Sequence, residues 1–146
     1  MNDYHLQVTM TAAQARIIIK ALDLYTHMGI GHTEVVAEQI IELCDVAYDE
    51  QKKVRNYLMD LKTKVLGHPR NGSHAIASPK VLPIVKTAYD LEKAIQKGVA
   101  MAEDYIQHQD SVWHIGDILH LGTEPTPKIA YIRDGHVQPI EAGRAK

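Results

Sequence analysis

The sequence predicts an α+β domain: about four helices, one of them long, and a small antiparallel sheet that includes a C-terminal hairpin. Three observations carry this. Apolar residues recur at steps of three and four from Ile17 to Tyr105, as on helices. Before and after that region the period is two, as in half-buried strands. Asp134-Gly135 then separates two alternating stretches as a two-residue hairpin turn. With 146 residues, 45% of them hydrophobic, the chain is long enough to bury one core unaided, so residues 1–146 read as a single domain in which 141–146 form a frayed tail.

Tyr4-His5-Leu6-Gln7-Val8-Thr9-Met10 alternates polar and apolar residues, a strand pattern. Thr11 followed by Gln14 has the form of a capping box, so a helix begins there; Ile17, Ala21, Leu24 and Met28 form its stripe, and Gly29-Ile30-Gly31 ends it. His32-Thr33 opens a second helix, carried to about Ala47 by Val36, Ile40 and Leu43. Asp49 is placed to cap a third that reaches Leu66 with Val54, Leu58, Leu61 and Val65 on one side. Gly67 to His74 breaks the pattern with two glycines, a proline and an Asn-Gly step. The longest helix starts at Ser78-Pro79 or at Pro83 and reaches about His108. Its stripe of Ile84, Ala88, Leu91, Ile95, Gly98, Ala102 and Tyr105 is a narrow seam, and the small residues Gly98 and Ala102 admit a close neighbour. That neighbour is either another helix of the chain or a second copy; a homo-oligomer built through residues 84–105 is the expected state. Strands are expected at Val112–Ile115, Ile118–Leu121, Lys128–Arg133 and His136–Ile140, the last at an edge because Pro139 has no N–H to donate.

Composition excludes several functions. A formal net charge of −2 lacks the basic footprint of a general nucleic-acid binder. No apolar run approaches the roughly 20 residues needed to cross a membrane, and the N-terminus has no signal-peptide pattern, so a cytoplasmic location is expected. The single cysteine, Cys44, lies in an apolar stretch and reads as a small core residue. Charge is unevenly spread: Lys52, Lys53, Arg55, Lys62, Lys64 and Arg70 face only Glu50 and Asp60 between positions 50 and 70, making the third helix locally basic.

Nine histidines invite a metal reading, but none stands at the spacing that groups zinc ligands on one helix face, and the lone cysteine forms no pair; no metal and no cofactor are expected. Paired His-x-Thr/Ser elements, a Gly-x-Ser-x-Gly elbow, a phosphate loop and a dinucleotide fingerprint are all missing, so no catalytic residue is assigned and binding is favoured over catalysis. The most suggestive segment is Arg70-Asn71-Gly72-Ser73-His74. It sets a guanidinium, an amide, a hydroxyl and an imidazole beside a glycine that lets backbone N–H groups approach an anion. Arg55 of the basic helix, Thr123 and Glu124 complete the candidate polar contacts, Glu124 as acceptor for a ribose hydroxyl or base amine. Tyr25 and Trp113 are the candidate stacking residues.

Three blocks carry a resemblance: Ala21 to His32 followed by Glu34-Val35-Val36, then Arg70 to Ile76 with Ala88-Tyr89-Asp90, and Gly122-Thr123-Glu124-Pro125. Together they resemble a family of small phage and prophage proteins of unsettled function. The chain departs from the family pattern where His32-Thr33 replaces Gln-Phe and where His74 replaces a Tyr. In size and character such proteins are similar to phage counter-defence sponges, which sequester nucleotide immune signals. The resemblance thus implies a phage-encoded, non-enzymatic protein of the infected or lysogenic bacterial cytoplasm that holds a cyclic ADP-ribose-type molecule or a cyclic oligonucleotide. Two alternatives stay open: a phage accessory or assembly protein acting on another protein, and a nucleotide-cleaving enzyme.

Overall fold

The computed structural model describes residues 7–107, 121–124, 129–133 and 136–139. Four helices follow in order, α1 (Ala12–Ile30), α2 (Thr33–Leu43), α3 (Tyr48–Asp60) and α4 (Pro83–Gln107). Thr11 caps α1 as its spacing predicts: its Oγ1 accepts from the Gln14 N–H at 3.2 Å, and Gln14 Oε1 accepts from the Thr11 N–H at 2.9 Å. Gly31 closes the helix at φ 82°, a left-handed conformation open to glycine at little cost, and turns the chain at once into α2. α2 stops at Leu43, short of Ala47, where Asp45 takes φ 47°. α3 begins with Ala47 as its N-cap, so Asp49 lies inside the first turn, where its charge complements the helix dipole. Beyond Asp60 the helix widens into a π-helical turn, Leu61–Val65, with the Leu66 N–H donating to the Leu61 carbonyl at 3.0 Å.

The fold is mostly helical, and this overturns the α+β class expected from the sequence. Residues 7–10 adopt no strand despite their alternation. The β structure described is one short antiparallel hairpin, β1 (Ala130–Arg133) and β2 (His136–Pro139), with Ala130 opposite Pro139 and Arg133 opposite His136. Two strands of four residues cannot form a layer for helices to pack on, so the helices pack on one another. The strands expected at Val112–Ile115 and at 118–120 lie outside the described residues.

α4 runs along α1. Gly29 of α1 faces Val85 of α4, where a Cβ would stand 2.5 Å from Val85 Cγ2. Ile30, Val81 and Val85 form a buried apolar cluster with Ile76 packed against it, tying the end of α1, the 67–82 loop and the start of α4 together. The buried face of α4 overlaps the expected seam only in part: its Ala88 and Gly98 are buried together with Val85 and Ala94, while Ile84 is 57% exposed. Asp90, itself buried, accepts from the Leu121 and Gly122 N–H groups at 2.8 and 2.6 Å and so clasps segment 121–124 onto α4.

α2 and α3 are joined by charge. Arg55 grips Glu38 with two nitrogens at 2.6 and 3.0 Å, and the buried Lys62 reaches Glu34 at 2.6 Å. Lys53 pairs with Glu50 and Lys64 with Asp60. The basic helix is therefore largely neutralised, partly by acids from α2. Cys44 is exposed at the end of α2 and is not a core residue. No helix among the described residues is long and apolar enough to cross a membrane.

Candidate functional site

A histidine-lined corner forms where the α1–α2 turn, the 67–82 loop and α4 meet. The His74 N–H donates to the Ile30 carbonyl at 2.9 Å, and the His68 N–H donates to the Lys62 carbonyl at 3.0 Å; these bonds fix the loop against the end of α1 and the π turn. Gly31 has no Cβ, and any added there would lie 2.7 Å from the His68 ring. His68 thus packs on the corner and meets His74 edge-on, ring centroids 4.7 Å apart. Burial pushes the His68 imidazole below its ordinary pKa, and the charges of His74 and Lys62 act in the same direction.

The corner opens into a cleft of about 500 Å³. α1 contributes Asp23, Thr26, His27 and Ile30 to its wall, the loop contributes Ser73 to Ile76, and α4 contributes Tyr89, Glu92 and Lys93, with His32 between. Lys93 lies 5.2 Å from the centre of the Tyr89 ring and pairs with the buried Glu92 carboxylate at 2.8 Å. The Thr26 hydroxyl is buried on this wall with no hydrogen-bond partner among the described residues. A buried hydroxyl left in that state costs free energy.

Five polar side chains form a continuous chain across the corner. Gln39 Nε2 donates to Asp23 Oδ2 at 2.7 Å, and Asp23 Oδ1 lies 3.2 Å from His27 Nε2. His27 Nδ1 is 3.2 Å from His32 Nδ1, the rings stacked at 5.4 Å, and His32 Nε2 is 2.5 Å from Ser73 Oγ. Hydrogen-bond logic fixes the proton positions from one end. A carboxylate only accepts, so His27 Nε2 donates to it; in a neutral ring this leaves Nδ1 bare. His32 Nδ1 must then donate to His27, which leaves His32 Nε2 bare to accept the Ser73 proton. Every donor points toward Asp23.

The structure brings Ser73 and His74 of the candidate loop into this cleft. Gly72 is half-buried beside them, its N–H donating to the Pro69 carbonyl at 3.2 Å, and a Cβ there would meet the Pro69 ring at 2.8 Å. Arg70 and Asn71 are exposed on the turn and do not line the cleft, nor does Tyr25, which is 49% exposed. Arg55 is occupied by Glu38 on the α2–α3 face. Thr123 and Glu124 are exposed on the segment clasped by Asp90, apart from the cleft wall. Trp113 lies outside the described residues. Asp23, Thr26, His27, His32 and Lys93 were not among the candidates. The Asp23–His27 spacing of four was a readable sign of a helical pair, whereas His32 and Ser73 are 41 positions apart and only the fold joins them. Among the described residues no three His, Cys, Asp or Glu side chains group to hold a metal ion. No family model, no curated protein and no solved structure matches this chain.

Proposed function

We propose that this protein binds a phosphate-bearing, nucleotide-derived small molecule in the corner cleft. The observation that carries the reading is the convergence of Ser73 and His74, the anion-loop residues of the sequence, with Lys93 and with the Thr26 hydroxyl, which has no partner among the described residues, around one cavity. At about 500 Å³ the cavity is of a size that takes a nucleotide. Within it His74 and Lys93 are the donors for phosphate oxygens, while His27 and His32 are engaged with each other. Glu92 is paired with Lys93, and Asp23 is engaged by Gln39 and His27.

Isothermal calorimetry against a panel of cyclic and linear nucleotides tests the reading. A charge-assisted hydrogen bond contributes about 1.5–3 kcal/mol, so His74→Ala and Lys93→Ala should each weaken the best ligand about tenfold to a hundredfold. Arg70→Ala should weaken it less, because Arg70 stands outside the cleft wall. No heat with any phosphate-bearing molecule, or unchanged affinity in both cleft variants, would reject the proposal. Recovery of the ligand after heat denaturation then separates holding from turnover: an intact molecule means sequestration.

A further inference from the structure

We propose that Ser73 is a nucleophile, activated by His32 and, through His27, by Asp23, and that it attacks a phosphoester seated in the corner cleft. The substrate class rests on the binding reading above; the activation of the serine does not, and it departs from the non-enzymatic role expected from the sequence. The argument is the direction of the hydrogen-bond chain. With Asp23 held by Gln39 at 2.7 Å and accepting from His27, the tautomers leave His32 Nε2 as a bare base 2.5 Å from Ser73 Oγ. A nucleophile, a base within hydrogen-bond reach and a group orienting that base are the parts that serine activation requires. The buried Thr26 hydroxyl, which has no partner among the described residues, lies on the wall of the same cleft and is a second and independent sign of a ligand there.

The step balances without a co-reactant other than water. Ser73 Oγ attacks phosphorus, and its proton passes to His32 Nε2. The resulting imidazolium keeps its Nδ1–H on His27, whose own Nε2–H faces Asp23, so the developing positive charge is stabilised along the chain. The bond from phosphorus to the leaving oxygen breaks, and that oxygen takes the proton from His32. Water, deprotonated by the same imidazole, then attacks the phosphoseryl group and restores the Ser73 hydroxyl. Ser73 and His32 touch the reacting atoms; His27 and Asp23 are positioning residues.

The test is reaction of the full chain with an uncharged alkyl fluorophosphonate, from which Ser73 displaces fluoride, followed by intact-mass measurement and peptide mapping. We expect a single adduct on Ser73, lost in Ser73→Ala. His32→Gly should slow labelling at least tenfold, with partial restoration by added imidazole, a rescue that a merely structural role would not give. Asp23→Asn should slow labelling about tenfold while leaving the thermal midpoint within a few degrees, because an amide can donate to His27 and reverse the tautomers. Labelling of Ser73 no faster than that of Ser78, or a rate indifferent to His32→Gly, would overturn the inference. The probe carries no phosphate charge, so the two proposals fail separately. Calorimetric binding without Ser73 labelling rejects the nucleophile alone; labelling without phosphate binding rejects the assigned substrate class and leaves an activated serine.

Discussion

Removing the Glu34 carboxylate should destabilise the protein more than removing the lysine it serves. Lys62 is 1% exposed, and its ammonium is met by Glu34 Oε1 at 2.6 Å; Glu34 itself is 49% exposed. Breaking a buried pair by deleting one partner costs about 3–5 kcal/mol, because the other charge is left without compensation. Water reaches half of Glu34 and screens part of that value, so Glu34→Ala should cost about 2–3 kcal/mol. In a domain of this size that is a fall of about 6–10 °C in thermal midpoint. Lys62→Met keeps the length and apolar volume of the stem and returns Glu34 to solvent, so it should cost less than about 1.5 kcal/mol. The double variant should be no less stable than Lys62→Met alone, a coupling that only paired residues show.

The same pair sets a pH dependence. Burial acts to raise the Glu34 pKa, but the hydrogen bond from Lys62, a backbone hydrogen bond and the charges of Lys62 and His32 outweigh it and hold the carboxyl below its ordinary 4.5. A carboxyl with a depressed folded value contributes stability that is present above the unfolded value and is lost as pH falls through the folded one. The gap between parent and Glu34→Ala should thus be full at neutral pH and close in acid below about pH 4.5. Urea unfolding followed by far-UV circular dichroism at both pH values measures it. A Glu34→Ala cost under about 0.5 kcal/mol at pH 7, or a Lys62→Met cost exceeding that of Glu34→Ala, would refute the reasoning.

Three further outcomes follow from the corner and its helices. His68 has a folded pKa depressed mainly by burial, so the unfolded chain takes up the proton first; stability should decline as pH falls from the ordinary imidazole value of 6.5 toward the lower folded value, and His68→Gln should flatten that slope in a thermal-shift series. Gly31→Ala forces a Cβ into a left-handed residue and onto the His68 ring, so it should cost more than the roughly 1–2 kcal/mol of the backbone alone and weaken ligand binding measured by calorimetry. Thr11→Ala removes the capping box of α1 and should cost about 1 kcal/mol in urea unfolding without changing ligand affinity, since the cap stands at the opposite end of α1 from the cleft.

The sequence by itself determined what is decided within a few residues. The α1 limits follow from the Thr11–Gln14 box and from Gly31, whose left-handed φ is cheap only for glycine; Pro83 marks the start of α4 because proline fits a first helical turn. The Asp134-Gly135 step placed the paired segments on either side of it. The loop with Ser73 and His74 was legible for the same reason: turn residues announce themselves locally.

What the tertiary structure alone decided depends on partners far away in the chain. Alternation at residues 7–10 is a strand only if another strand pairs with it, and among the described residues none does, which is why a locally sound pattern led to the wrong fold class. The cations between positions 50 and 70 form a locally basic run in the sequence, but the acids that neutralise Arg55 and Lys62 stand 17 and 28 residues earlier on α2, where no local pattern reveals the pairing. The candidate loop acquires its chemistry from His32, 41 residues before Ser73, and from an α4 that approaches α1 closely enough to need a glycine at position 29. Hydrogen bonds and ion pairs act over a few ångströms of space, and only the folded chain sets which side chains come within that distance.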